Sequence, residues 1–263
     1  MKYLAIGPGA MGLFVYLGVI SKLKHLGALN DLCEISGSSA GSIIGFMFLA
    51  TKGNIPEILD FAINVPVKQV MKPNLKSLLT NYGLVPISKV RAQLSKACLK
   101  YLGKDDITFM ELFAHSRIKF HVSAYCVDLM KTDYFSVDRT PNMSVLDAVC
   151  MSIALPFLFS SSKFNEWHYV DGGAAEDCPC GPFIDKEHKD VLALKLAWSR
   201  PTLVKDLKSY GLSILWSVLK LRYAYSVPTI HVDLGNTDVF DFGTENEAKL
   251  KMFITGHSQQ ISI

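Results

Sequence analysis

Apolar and polar positions change period repeatedly along the first 53 residues. Tyr3 to Ile6 is a short apolar run that reads as a buried strand. From Gly12 to Leu26, Leu13, Tyr16, Leu17, Ile20 and Leu23 recur at three- and four-residue spacing, predicting a helix that ends near Gly27. Leu32 to Ser36 reads as a second strand. A sharp turn and a very apolar helix follow, from Ser42 to about Thr51, closed by Gly53. This β-α-β-α opening predicts parallel strands joined by right-handed crossovers.

Residues 54–118 carry a mostly helical pattern, broken at Pro66, Pro73, Gly83-Leu84-Val85-Pro86 and Gly103. Strand signals return at Ile118 to Val127 and Thr132 to Val137. A helix over Ser144 to Ser152 and a loop around Pro156 come next. Further strands are predicted at Trp167 to Val170, Val191 to Leu196 and Thr229 to Leu234, with a helix over Leu203 to Tyr225. No internal repeat or linker-like shift in composition divides the chain, so a single α/β domain over 1–263 is expected.

Composition narrows the function classes. Hydrophobic residues make up 49% of the 263 and charged ones 19%, which suits a packed globular protein. A net charge of +3 is too small to indicate a nucleic-acid partner. The first 20 residues imitate a signal peptide, but four glycines and a proline interrupt the run. No run reaches about 20 uninterrupted apolar residues, so no membrane span is expected. An intracellular protein follows, cytoplasmic or peripheral to membranes. The six cysteines lack a framework spacing and read as buried free thiols. Cys178-Pro179-Cys180 has no second ligand pair at zinc spacing, no acidic cluster has calcium-loop spacing, and no metal or other cofactor is expected.

Three short motifs carry candidate chemistry. Gly7-Pro8-Gly9-Ala10-Met11-Gly12 spells G-x-G-x-x-G between a strand and a helix, the context of a dinucleotide-binding turn. Gly37-Ser38-Ser39-Ala40-Gly41 matches G-x-S-x-G, again between strand and helix, where a nucleophilic serine would be presented above a helix N-terminus. The alternative is a turn in which Ser38 or Ser39 simply caps the helix. Asp171-Gly172-Gly173 ends a strand, and an aspartate within about 3 Å of a serine hydroxyl can accept its proton. In isolation Asp171 reads equally as an ordinary turn acid. None of the seven histidines lies in a persuasive catalytic turn.

In this order the three motifs resemble the patatin-like phospholipase family. Leu17-Gly18-Val19 and Ser152-Ile153-Ala154-Leu155-Pro156-Phe157 add to the likeness, which is dense over residues 3–53 and 118–180. The resemblance implies a three-layer α/β/α fold with a mostly parallel central sheet. It implies a lipid acyl hydrolase that cleaves carboxylic esters of lipids or phospholipids with a catalytic dyad of Ser39 and Asp171. It implies an oxyanion loop formed by Gly7, Gly9, Ala10 and Gly12, with Gly37, Gly41, Gly172 and Gly173 supporting the motifs. Pro8 stands where the family usually has glycine, Met11 where it has arginine or lysine, and Asp177 where asparagine is common. Lipid is the expected partner, with peripheral membrane contact through the basic and aromatic Leu203 to Tyr225 stretch as one option. The helical 54–118 region is a candidate lid or acyl-chain pocket over Ser39.

Two other functions fit parts of the sequence. A nicotinamide-dependent oxidoreductase would use the glycine loop for pyrophosphate and Glu34 for ribose. A catalytically weak lipid-binding protein on the same fold would account for Pro8 and Met11.

Overall fold

The computed structural model describes residues 1–197, 224–235 and 238–261, with isolated positions 204, 210, 211 and 214. The opening follows the apolar pattern closely: β1 (Tyr3–Ile6), α1 (Leu13–His25), β2 (Glu34–Gly37) and α2 (Ala40–Ala50). β2 starts and ends slightly later than the apolar run suggests, and α2 begins directly at the serine turn. Gly27 and Gly53 close the two helices in left-handed conformation, where a Cβ would be strained.

The helical middle comprises α3 (Ile55–Asn64), α4 (Val67–Val70), α5 (Leu75–Asn81), α6 (Ser88–Leu102) and α7 (Phe109–Ser116). The expected break at Gly83 to Pro86 instead contains a short strand, β3 (Gly83–Val85). β4 (Lys119–Cys126), β5 (Lys131–Ser136) and α8 (Val145–Ser152) follow. The expected loop around Pro156 holds β6 (Phe157–Phe159) and leads to β7 (Ser162–Phe164), before β8 (Trp167–Asp171). β9 (Val191–Ala197) and β10 (Thr229–Asp233) are followed by α9 (Asn246–Ser258), an element the apolar pattern does not announce.

β10, β9, β1, β2 and β4 lie side by side and parallel, whereas β5, β8 and β7 are antiparallel additions. β3 and β6 form a separate two-stranded parallel pair. The sheet's two faces separate as the two-residue period requires. Leu4, Ile6, Ile35 and Leu194 join α1, α2 and α8 in the main core, while Ala5, Val191 and Ala193 face Cys178, Cys180 and Phe183. The architecture is thus α/β/α in three layers. The second outer layer is represented among the described residues by single-turn helices at Gly181–Phe183 and His188–Asp190.

One feature of the sheet positions the site. β5 pairs with His121 to Cys126 on one edge of β4. On the other edge β2 pairs with Lys119 to Val122, and β8 pairs with Ala124 to Cys126. β2 runs parallel to β4 and β8 antiparallel to it. The two strands therefore share one edge end to end and run toward each other, β2 stopping opposite Val122 and β8 opposite Ala124.

Among the described residues no helix is long and apolar enough to cross a membrane. Most of the stretch Leu203 to Tyr225, including Trp216, lies outside the described residues. Of the six cysteines, all free, five are buried as expected; Cys33 is exposed, because it sits in the polar turn that precedes β2.

Candidate active site

The head-on approach of β2 and β8 brings the two short motifs to one place. Immediately after β2, Ser38 donates its N–H to Ile6 O at 3.1 Å. Ser39 then takes φ 52° and ψ −122°, a left-handed conformation that a residue with a side chain adopts only under constraint. It is the N-cap residue of α2, yet its side chain makes no capping hydrogen bond, so the simple capping alternative for this serine does not hold. The two glycines are required by close approach. A Cβ on Gly41 would lie 2.1 Å from Ile6 O, and one on Gly37 would lie 2.6 Å from Gly41 O.

α8 and its C-terminal extension hold both motif residues. Ser152 Oγ, fully buried, accepts the Ser39 N–H at 2.9 Å. Two residues on, Ala154 O accepts the Asp171 N–H at 3.0 Å. Asp171 is 4% exposed, and its Oδ1 accepts the Gly173 N–H at 2.8 Å. Ser39, Asp171 and Gly173 all line one cavity of about 190 Å³ together with Pro8, Gly9 and Ala10. A Cβ on Gly173 would meet the Pro8 ring at 2.8 Å, so the aspartate turn packs directly on the glycine loop.

Within that loop the backbone donors divide into two groups. Gly7 N–H donates to Leu194 O at 3.0 Å, Met11 N–H to Val239 O at 2.9 Å, and Gly12 N–H to Gly9 O at 2.7 Å. Pro8 has no N–H, and its carbonyl accepts from Tyr16 Oη at 3.2 Å. The N–H groups of Gly9 and Ala10 make no hydrogen bond to any described residue, and neither does that of Ala40 at the first turn of α2. Ala10 is itself left-handed, at φ 44°.

Beyond the polar end the cavity is apolar. α1 and α2 contribute Phe14, Leu17 and Met47, and the helical middle contributes Ile58, Phe61 and Leu94. Helices α3, α4 and α6 of the 54–118 region thus form the cavity wall. Met11, 3% exposed, also lines it, at the position where a cation is usual in the resemblance. Gln93 is the one polar side chain of the helical middle on the lining, and its presence was not signalled by any motif. Among the described residues no histidine lines the cavity.

Paired polar side chains follow the aspartate turn along the chain. Asp177 pairs with Lys195 at 2.8 Å. Glu176 is buried beneath the hydroxyls of Tyr134 and Tyr225, and burial raises its carboxyl above the ordinary range. Among the described residues no group of His, Cys, Asp or Glu is arranged to hold a metal.

Glu34 is placed too far from the glycine loop to serve a dinucleotide. It begins β2, at the strand end opposite Gly37, and its carboxylate is held by His121 Nε2 at 2.8 Å and approached by Lys186 at 3.8 Å. The oxidoreductase alternative has no support from this geometry.

The family model described as patatin-like phospholipase matches residues 4–184 of the chain. A probable lipid hydrolase of Invertebrate iridescent virus 6 is 28% identical over 194 residues, covering 72% of this chain and 65% of the viral protein. Triacylglycerol lipase 4 of Saccharomyces cerevisiae is 28% identical over 199 residues, covering 66% of this chain but 21% of the yeast protein. The chain therefore spans just under two thirds of the viral relative and about a fifth of the yeast one. Among solved structures, VipD from Legionella pneumophila is similar in fold, with a TM-score of 0.61 at 16% identity over 98% of this chain and 65% of that one.

Proposed function

Given that the chain belongs to the patatin-like phospholipase family, we propose that it hydrolyses carboxylic ester bonds of lipids, with Ser39 as nucleophile and Asp171 as base. The observation that carries this reading is the left-handed turn at Ser39, which opens on the same apolar cavity as the buried Asp171. Backbone strain of this kind persists where the surrounding structure fixes a functional side chain.

Ser39 Oγ attacks the ester carbonyl while the Asp171 carboxylate takes its proton. The tetrahedral oxyanion is received by the N–H groups of Gly9, Ala10 and Ala40, which have no described protein partner, at the positive end of α2. Each such donor contributes about 3 kcal/mol to lowering the barrier. Gly7 and Gly12, whose N–H groups are committed elsewhere, shape the loop rather than donate. The alcohol leaves with the proton held by Asp171, and the same carboxylate then draws a proton from the water that releases the acyl group. Aligned apolar side chains from α1, α2, α3 and α6 receive the acyl chain, so lipid esters are the substrate class.

Ser39→Ala and Asp171→Asn test this reading. Each is expected to lower acyl-ester hydrolysis by at least about a thousandfold, and labelling by a fluorophosphonate probe should vanish in Ser39→Ala. Hydrolysis that survives both substitutions would overturn the dyad. The second reading, a lipid-binding protein without catalysis, draws on Pro8, which removes one donor from the loop. Absence of labelling in well-folded wild-type protein would favour it.

A further inference from the structure

Most left-handed residues other than glycine sit at turns where a small polar residue would be less strained. Three of the eight among the described residues are large apolar residues that point outward: Tyr82 at φ 61° and 62% exposed, Met130 at φ 49° and 79% exposed, and Phe157 at φ 65° and 70% exposed. Neither core packing nor backbone preference accounts for bulky apolar side chains at all three positions.

The three lie on neighbouring turns. Gly83, next to Tyr82, pairs with Phe157 across β3 and β6. Tyr82 and Phe157 line one shallow groove with Val127 and His168, and the Tyr82 ring meets the His168 ring edge-on at 6.1 Å. Val127 opens the β4–β5 turn that carries Met130, and its N–H donates to His168 O at 3.0 Å. Leu75 and Leu79, 74% and 82% exposed, extend the apolar surface along α5, and Trp167 extends it beside His168. An exposed apolar surface of this extent marks an interaction site.

The groove adjoins the acyl cavity through a single segment. Leu155, Leu158 and Phe159 line the cavity, while Pro156, Phe157 and Phe159 line the groove. Its edges carry three lysines and three acids, and of those that make no ion pair with any described residue two are basic, Lys76 on α5 and Lys163, cross-strand from His168, and one is acidic, Glu166. Lys131 is paired with Asp133, Asp128 is bonded to His168, and Glu166 is the acid of the β7–β8 turn.

We infer that this face docks on an anionic lipid surface, with Tyr82, Met130 and Phe157 inserted among the acyl chains and Lys76 and Lys163 at the headgroups. The inference rests on the lipid-ester reading for its choice of a bilayer rather than another apolar partner, but its test does not depend on catalysis. Docking in this orientation sets the groove, and through Phe159 the cavity, against the source of substrate.

The left-handed turns make the test unusually clean. Glycine removes the side chain and relieves the backbone at the same time. Tyr82→Gly/Phe157→Gly, in the full chain, is expected to melt no lower than wild type. Its partitioning onto phosphatidylcholine vesicles containing phosphatidylserine should fall by at least about tenfold in co-sedimentation. Hydrolysis of a short-chain soluble ester should be unchanged, while hydrolysis of vesicular lipid falls in step with binding. Lys76→Glu/Lys163→Glu should lose the preference for phosphatidylserine vesicles over pure phosphatidylcholine. Ser39→Ala should bind vesicles as wild type does, so a failure of the catalytic reading leaves this readout intact. The proposal is overturned if wild type ignores both vesicle types, or if the glycine variant partitions normally. A change from dimer to monomer in the glycine variant with vesicle binding unaltered would also overturn it, and would assign the face to contact between copies.

Discussion

Ser152 Oγ accepts the backbone N–H of Ser39 at 2.9 Å, so a hydroxyl on α8 fixes the strained residue that begins α2. The N–H of a left-handed N-cap has no partner within its own helix. Ser152→Ala would leave that part-buried donor without its partner, at a cost of about 1 kcal/mol. Because the lost bond restrains the φ of Ser39, kcat should fall by about tenfold or more while KM changes little. Urea denaturation and steady-state kinetics on the same protein check both numbers. A variant as stable and as active as wild type would show that the turn is held by other contacts.

The first turn of α2 leaves no room for a side chain beside β1. A Cβ on Gly41 would stand 2.1 Å from a backbone oxygen, Ile6 O, which cannot rotate away. Gly41→Ala should therefore cost about 3 kcal/mol and displace the serine turn. Gly173→Ala meets the Pro8 ring at 2.8 Å and Asp171 Oδ1 at 3.0 Å, contacts that a small shift of the loop can relieve. It should lose activity with a smaller loss of stability. Thermal melts and ester hydrolysis of the two variants separate these cases, and an inert Gly41→Ala would contradict the packing described.

Local chemistry made much of this legible in the sequence. The apolar runs and glycine stops marked β1, α1 and α2, and G-x-S-x-G marked a turn whose strain is set within five residues. The convergence of Ser39 and Asp171 was not legible as geometry. It depends on β8 pairing antiparallel to β4 on the edge that β2 already occupies, which no local pattern encodes. α9 escaped for a related reason. Asn246 to Lys251 mixes charged and apolar residues without a clear face, and the helix is held through close packing on α1. There a Cβ on Gly18 would stand 2.1 Å from Phe253 O. Ser152 was visible as part of a motif, but its acceptor role required the fold.

The acyl cavity predicts a chain-length preference that can be shifted. Ala62 lies on its wall in α3, among Ile58, Phe61 and Val65. Ala62→Phe would fill volume at that wall, on α3 rather than on the serine or aspartate turn. Specificity between substrates differing by one methylene rests on about 1–3 kcal/mol of pocket contact. Loss of room for several methylenes should lower kcat/KM for long-chain esters by about a hundredfold relative to short-chain ones. A parallel fall for every chain length would mean that the acyl group lies elsewhere.

Glu176 supplies the pH dependence of the aspartate turn. It is 7% exposed, lies five residues beyond Asp171, and accepts hydroxyls from Tyr134 and, at 3.1 Å, from Tyr225. Burial raises its pKa above the usual 4.5, and the tyrosine hydrogen bonds only partly oppose that. At pH below about 4.5 the carboxyl is protonated in both folded and unfolded chains, and its burial costs least. As pH rises, the unfolded chain ionises first. Stability is then lost progressively until the folded carboxyl also ionises, above which the loss is constant. Each tenfold preference of the folded state for the protonated form corresponds to about 1.4 kcal/mol. Glu176→Gln keeps an amide oxygen for one tyrosine hydroxyl and an amide nitrogen for the other, and it cannot ionise. The variant should therefore gain on wild type as pH increases from about 4.5 toward neutrality, in melting temperatures measured across that range. Curves that stay parallel would remove Glu176 as the source of the dependence.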